Sequence, residues 1–300
     1  MSEAPLPAEA DLAAVLPVPF VKLHGLGNSY LYIDGDAHPV PESLLPALAR
    51  RMSDPNFGVG ADGIIVVAGH PTHTAAMRIF NRDGSEAEMC GNGIRGVAKY
   101  LFDRGRAGRE QRIHTRAGTI GIRVVDVDPA GRARTVAVDM GEPRLERGSL
   151  PLAVGAPDEP ARDLPLEVAG ERLALTAVSM GNPHVVHFVP ALWDAERTAR
   201  VGRLVEHHPW FPARTNFHVA EVVTPEHVRI RHWERGSGLT LACGTGASAV
   251  LVAGAVTGRL ARRVRADVPG GTLELEWAAD GRVRMTGPAE EICAGTFALR

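Results

Sequence analysis

The sequence predicts an α+β fold built from two related halves, each made mostly of short strands around one prominent helix. Three observations carry that expectation. A repeat is written around two cysteines: residues 89–106 read MCGNGIRGVAKYLFDRGR and residues 242–259 read ACGTGASAVLVAGAVTGR. At one constant offset Cys90 matches Cys243, Gly91 matches Gly244, Gly93 matches Gly246, Gly105-Arg106 match Gly258-Arg259, and upstream Arg82 matches Arg235. A helical pattern follows each Cys-Gly-x-Gly, and the remaining segments alternate as strands do. Two copies are too few for a solenoid, so the repeat marks two halves of one architecture.

In chain order, the first signal is Gly27-Asn28 in HGLGNSYLYID, which returns as Gly181-Asn182 in SMGNPHVVHFV. After Cys90, residues Ile94, Val97, Ala98, Leu101 and Phe102 fall at one-face helical spacing. Arg95, Lys99 and Asp103 stand opposite, which predicts an amphipathic helix ending at Gly105. IGIRVVDVDP and RTVAVDM flank Pro129-Ala130-Gly131 and predict a hairpin. The second helix, Ala247 to Val256, is apolar nearly all round, which predicts a central, buried element. Leu273, Leu275 and Trp277 alternate with polar residues before the turn pair Asp280-Gly281, and Val283 and Met285 continue beyond it.

Composition narrows the chemistry. The chain has 300 residues and a formal charge of −2, which gives no general electrostatic case for nucleic acid or an acidic membrane as partner. No apolar run approaches the roughly 18 residues a membrane helix needs. Residues 1–17 lack a basic start ahead of their apolar stretch, so a secretory signal is not expected and the cytoplasm is the expected location. Only Lys22 and Lys99 are lysines, which leaves few candidates for a Schiff base. Three cysteines, Cys90, Cys243 and Cys293, without a CxxC pair, argue against a disulfide scaffold or a four-cysteine zinc site. His70/His73 and His207/His208 form no metal-site pattern, so no metal is expected. Neither GxxxxGK[ST] nor G-x-S-x-G is present. Residues Gly91 to Gly96 do satisfy G-x-G-x-x-G, but the polar, turn-rich NRDGSEAEM precedes them where a dinucleotide fold needs an apolar strand.

The position of each thiol points elsewhere. A cysteine just before a helix faces unpaired backbone N–H groups and the positive end of the helix dipole, which favour a thiolate. The same N–H groups can hold a carboxylate, and the small residues Gly91, Gly93, Gly244 and Gly246 let a ligand approach the backbone. Two such helix starts could place one cysteine on each face of an α-carbon, the arrangement a racemase needs. Cysteines in cores are usually inert, and Cys293, which lacks this context, reads that way.

The segments HGLGNSYLYID, NRDGSEAEMCGNG, MGNPHVV, RTNFHVA and ERGSGLTLACGTG resemble diaminopimelate epimerase, in order from about residue 20 to the end. The resemblance implies two pseudosymmetric domains, each a curled, mostly antiparallel sheet around a central helix, with the site in the cleft between them. It divides the chain into a flexible extension over residues 1–17, an N-terminal half over 18–136 completed by a returning strand over 289–300, and a C-terminal half over 137–288. It implies a homodimer that interconverts LL- and meso-diaminopimelate without a cofactor, in lysine and peptidoglycan precursor synthesis. Carried over by position, Cys90 and Cys243 are the acid/base pair, with His184 and Glu234 assisting the thiols. Gly91, Asn92, Gly244 and Thr245 supply amides for the reacting carboxylate. Asn28, Asn81, Asn182 and Asn216 are substrate ligands, and Glu234 and Arg235 lie near the distal end. Gly63 stands where some members carry a glutamine. Proline and hydroxyproline racemases share the paired cysteines, but typically have histidine where this chain has Asn92, and Glu234-Arg235 would have little to bind on proline.

Overall fold

A computed structural model describes residues 12–298. The chain divides into two compact units, one running to Val138 and resumed from Pro288, the other spanning Asp139–Gly287. The first unit contains β1 (Val18–Gly25), β2 (Asn28–Asp34), α1 (Leu45–Ser53), β3 (Gly63–Ala68), β4 (Ala75–Asn81) and β5 (Glu86–Ala87). It continues through α2 (Gly91–Asp103), β6 (Glu110–Thr115), β7 (Gly118–Val127) and β8 (Ala133–Asp139). The second contains β9 (Leu164–Val168), β10 (Glu171–Ser179), β11 (Pro183–Val189), α3 (Ala195–Glu206), β12 (Asn216–Thr224), β13 (His227–Glu234) and β14 (Gly238–Thr240). Then come α4 (Gly244–Val256), β15 (Arg263–Val268), β16 (Gly271–Trp277) and β17 (Val283–Pro288), and β18 (Glu290–Phe297) pairs antiparallel with β1 of the first unit.

The repeat seen in the residues recurs in the pairing of strands. In the first unit β18–β1–β2 are antiparallel, β2–β3 parallel, β3–β4–β5 antiparallel, β4–β6 parallel, and β6–β7–β8 antiparallel. In the second, β9–β10–β11 are antiparallel, β11–β12 parallel, β12–β13–β14 antiparallel, β13–β15 parallel, and β15–β16–β17 antiparallel. Each strand of one unit thus has a counterpart in the other, with α1 matching α3 and α2 matching α4. This is the two-fold repeated α+β architecture the sequence predicts. Among the described residues, no helix is long and apolar enough to cross a membrane.

Each sheet carries helices on both faces, so consecutive residues of a middle strand are buried, as are residues 30–33 of β2 and 216–220 of β12. In β2, Leu31 and Ile33 pack with Leu48 and Met52 of α1, while Tyr32 faces α2 and donates from its hydroxyl to the Gly93 carbonyl at 2.8 Å. In the second unit Val201 and Val205 of α3 pack with Val185, Val219 and Trp233. The glycines of the first helix are explained by this contact. A Cβ on Gly93 would come within 2.8 Å of Ile65 Cδ1, and one on Gly96 would overlap the Tyr32 hydroxyl. The G-x-G-x-x-G spacing therefore records close helix–sheet packing.

Two expectations differ from the structure. The first helix was expected to expose Arg95 and Lys99, but both are buried, because α2 is enclosed by its own sheet. Their polar ends are paired: Arg95 Nε donates to the Pro288 carbonyl at 3.0 Å, and Lys99 Nζ donates to Asp103 at 2.7 Å and to the Ala133 carbonyl at 2.6 Å. Of the expected flexible extension, residues 1–11 lie outside the described residues. Within the described part, Leu12 is buried, and Val15 and Leu16 pack with it on the cluster containing Phe20, Leu48 and Phe297. Apolar side chains at these positions gain more by covering that core than by remaining in water.

Candidate active site

In each unit the cysteine is the N-cap of the central helix, and each of those helices has 13 residues. Cys90 is extended (φ −136°, ψ 114°), and its sulfur accepts from the Gly93 N–H at 3.3 Å. Cys243 repeats the geometry (φ −129°, ψ 110°), accepting from the Gly246 N–H at 3.4 Å. Both sulfurs thus stand where the first-turn N–H groups and the helix dipole stabilise negative charge.

Around Cys90 the first unit gathers Asn28, Tyr30, Asp62 and Arg95. The thiol donates to Asn28 Oδ1 at 3.4 Å, and Asn28 Nδ2 donates to Asp62 Oδ2 at 2.8 Å. The same carboxylate oxygen accepts from the Ser29 N–H at 2.8 Å, which fixes the Asn28 side chain toward the sulfur. The Tyr30 hydroxyl is held well above its ordinary pKa, first by burial and then by Cys90 beside it. Burial lowers the Arg95 guanidinium to about 10, while a thiolate at Cys90 favours its charge. Gly91 and Asn92 form the buried first turn. Asn81 is held differently: its amide donates to Ser85 Oγ at 3.0 Å within the 81–85 turn. Gly63 presents no side chain, and a Cβ there would collide with the Phe80 carbonyl.

Around Cys243 the second unit gathers Glu234, Thr245 and a file of histidines. Burial raises the Cys243 thiol well above its usual range, and the Glu234 carboxylate hydrogen-bonded to it adds to the rise. Thr245 Oγ1 lies 3.6 Å from the sulfur. Beneath the helix start, a Cβ on Gly246 would meet His218 Cε1 at 2.5 Å and the Cys243 sulfur at 3.1 Å. His184, His218 and His232 are each fully buried. His184 Nδ1 lies 2.9 Å from His218 Nε2, His218 Nδ1 lies 2.9 Å from His232 Nδ1, and His184 Nε2 lies 2.8 Å from Asn182 Oδ1. An amide oxygen only accepts, so His184 carries its proton on Nε2, His218 on Nε2 and His232 on Nδ1. That assignment leaves His232 Nε2 an unprotonated nitrogen, and it has no hydrogen-bond partner among the described residues. Burial lowers His184 and His232 to about 3 and takes His218 well below its usual value, so all three are neutral.

Asn216 and Arg235 are tied into the same region. Asn216 Nδ2 donates to the Pro183 carbonyl at 2.8 Å, and its Oδ1 accepts from the Arg235 N–H at 2.9 Å. The exposed Arg235 guanidinium donates to the Ala213 carbonyl at 2.9 Å. Asn216 therefore orients the 183 turn and the 235 backbone. Within single units the structure brings together Cys90 with Asn28, and Cys243 with Glu234 and Thr245. Sequence reasoning missed Tyr30, Asp62, Arg95, His218 and His232. A period-two signal was available for three of them: Asn28-x-Tyr30, Asn216-x-His218 and His232-x-Glu234 each place a polar pair on one strand face.

Comparison with known proteins identifies the family. The profile of the diaminopimelate epimerase family matches residues 20–146 and 176–292. The chain is 49% identical over 282 residues to the diaminopimelate epimerase of Moorella thermoacetica, covering 93% of this chain and 99% of that one. It is 48% identical over 282 residues to that of Pelotomaculum thermopropionicum, covering 94% and 99%. Among solved structures, a probable proline racemase from Agrobacterium radiobacter superposes with a TM-score of 0.68 at 18% identity, covering 94% of this chain and 93% of that one, a likeness of fold.

Proposed function

The chain belongs to the diaminopimelate epimerase family, and from that premise we propose that it interconverts LL- and meso-diaminopimelate by a two-base mechanism on Cys90 and Cys243. The observation that carries the mechanism is the N-cap position of a cysteine on the central helix of each unit. One cysteine, as thiolate, removes the α-proton; the other, as thiol, delivers a proton to the opposite face. The pair exchanges roles with direction, so the reaction needs no added cofactor. The first-turn amides of Gly91, Asn92, Gly244 and Thr245 hold the α-carboxylate, whose charge the helix dipoles favour. Asn28, Asn81, Asn182 and Asn216 complete the polar recognition of a substrate with two ammonium and two carboxylate groups, and Arg235 pairs with the distal carboxylate. Asn216 also acts by positioning its neighbours. Glu234 takes the proton from Cys243 when that thiol must become the base. His184 assists a thiol from its place in the neutral histidine file, which fixes its tautomer. The enzyme works as a cytoplasmic homodimer in lysine and peptidoglycan precursor synthesis.

The test is incubation with LL-diaminopimelate in deuterated water. The expected result is meso product carrying one α-deuterium, with proline under the same conditions neither racemised nor labelled. Affinity for diaminopimelate without exchange of its α-hydrogen would reduce the protein to a binder, and turnover of proline would reassign its substrate.

The raised Cys243 thiol sets the pH profile. A group that must stay protonated fails only as pH passes its folded pKa, so the alkaline limb of kcat/KM is expected above the ordinary thiol range of about 8.5. In Glu234→Gln the negative charge that opposes a Cys243 thiolate is gone, and the limb moves to lower pH. It does not reach the ordinary value, because burial is the larger cause. A Glu234→Gln limb at the wild-type position would detach Glu234 from the thiol.

A further inference from the structure

Three histidines outside the site converge on one edge of the first unit. His70 and His73 stand on the connection between β3 and β4, His114 stands on β6, and one ring nitrogen of each lies within 4.8 Å of the others. Backbone pairing fixes their approach. Thr74 N donates to the Arg112 carbonyl at 2.9 Å, Arg112 N donates to Thr74 Oγ1 at 2.9 Å, and Ala76 pairs with His114 where β4 runs parallel to β6. The Nδ1 atoms of His70 and His73 are 2.9 Å apart. His73 Nε2 lies 2.8 Å from Thr119 Oγ1, and Thr119 is the cross-strand partner of His114 on β7.

We propose that His70, His73 and His114 bind one divalent transition-metal ion of the Zn²⁺ type, which ties the connection over residues 69–74 to the β6–β7 hairpin. Tetrahedral ligands on Zn–N bonds of about 2.05 Å stand about 3.3 Å apart, a spacing that lies inside the present range and needs only small rotations of the rings. With Nδ1 on a metal, His73 would carry its proton on Nε2 and donate it to Thr119 Oγ1, 2.8 Å away, which would hold the ring plane. Imidazole donors without a carboxylate select zinc, cobalt, nickel or copper over magnesium or calcium. His114 is exposed and the other two are half-buried, so water completes the shell. Spacing along the chain gave no metal pattern because the third ligand comes from a strand beyond α2. None of these residues has a part in the proposed epimerisation.

The test titrates the full-length protein with Co²⁺ and then Zn²⁺, following visible absorption and circular dichroism. The triple variant Cys90→Ala/Cys243→Ala/Cys293→Ala separates imidazole from thiol ligation. The expected result is one ion per chain, a visible cobalt band without thiolate-to-metal charge transfer, displacement by Zn²⁺, and unchanged binding in the triple variant. His73→Ala and His114→Ala, with wild-type circular dichroism, are expected to lose affinity by tenfold or more, and Thr119→Val, which keeps all three ligands, by about tenfold. Absence of saturable binding, binding that vanishes with the thiols, or wild-type affinity in either histidine variant would each overturn the site.

Discussion

Replacing Cys243 by alanine is expected to lower epimerisation by about 10²–10⁴-fold, the contribution typical of a positioned acid or base. The same loss is expected for Cys90→Ala, whereas Cys293→Ala, an exposed position on β18, leaves turnover unchanged. The mechanism makes a sharper demand than loss of rate. With one thiol gone, the other can still remove and return a proton on its own face of the α-carbon, so each variant retains solvent exchange with only one epimer. Cys90→Ala and Cys243→Ala must therefore label opposite epimers in deuterated water, each without inversion. If both label the same epimer, or if either keeps full epimerisation, the two-base assignment is lost. The cause can be read in the structure. Each sulfur already accepts an N–H from the first turn of its own helix, at 3.3 Å for Cys90 and 3.4 Å for Cys243, and alanine offers no atom to carry a proton there.

The repeated Cys-Gly-x-Gly was legible because its residues are contiguous and a helix start has a local signature. The two halves were legible for the same reason, since a duplicated motif survives as a duplicated word. The surroundings of the thiols were harder to read. Arg95 sits on what the spacing marks as a solvent face, and only the sheet enclosing α2 makes it a buried cation beside Cys90. Asp62 lies in a loop far along the chain from Asn28, and its link to that residue arises where β2 runs parallel to β3. The histidine file depends on register: His184 pairs with Asn216, and His218 with His232, in strands separated by α3 and a hairpin. Local pattern could place each histidine on a strand face, but the juxtaposition belongs to the sheet. Pro19 and Pro183 illustrate the converse, with prolines tolerated in strands because each stands at or next to a strand start.

That file makes the second unit sensitive to mild acid. His184 and His232 have folded pKa values of about 3 against an unfolded 6.5, and His218 is also well below 6.5. The unfolded chain therefore binds more protons, so the stability these groups confer is complete above pH 6.5 and is lost as pH falls toward 3. The three protons of the file give a limiting slope of about 4 kcal/mol per pH unit, against a typical total stability of about 5–15 kcal/mol, and His187 and His208 of the same unit, also lowered by burial, act in the same direction. The carboxylates held low in this unit, Glu171, Asp267 and Asp280, titrate further down and do not account for loss between pH 6.5 and 5. Fluorescence separates the units. Trp193, Trp210, Trp233 and Trp277 all lie in the second, and Tyr30, Tyr32 and Tyr100 in the first. Denaturant titrations followed by tryptophan emission are expected to show unfolding free energy falling steeply from pH 6.5 to 5. In His232→Gln, whose amide can still donate to His218, the slope should drop by about 1.4 kcal/mol per pH unit. A tryptophan-reported stability that stays flat across that interval would mean the file takes up its protons without unfolding, and its neutrality would no longer anchor the strand faces beneath Cys243.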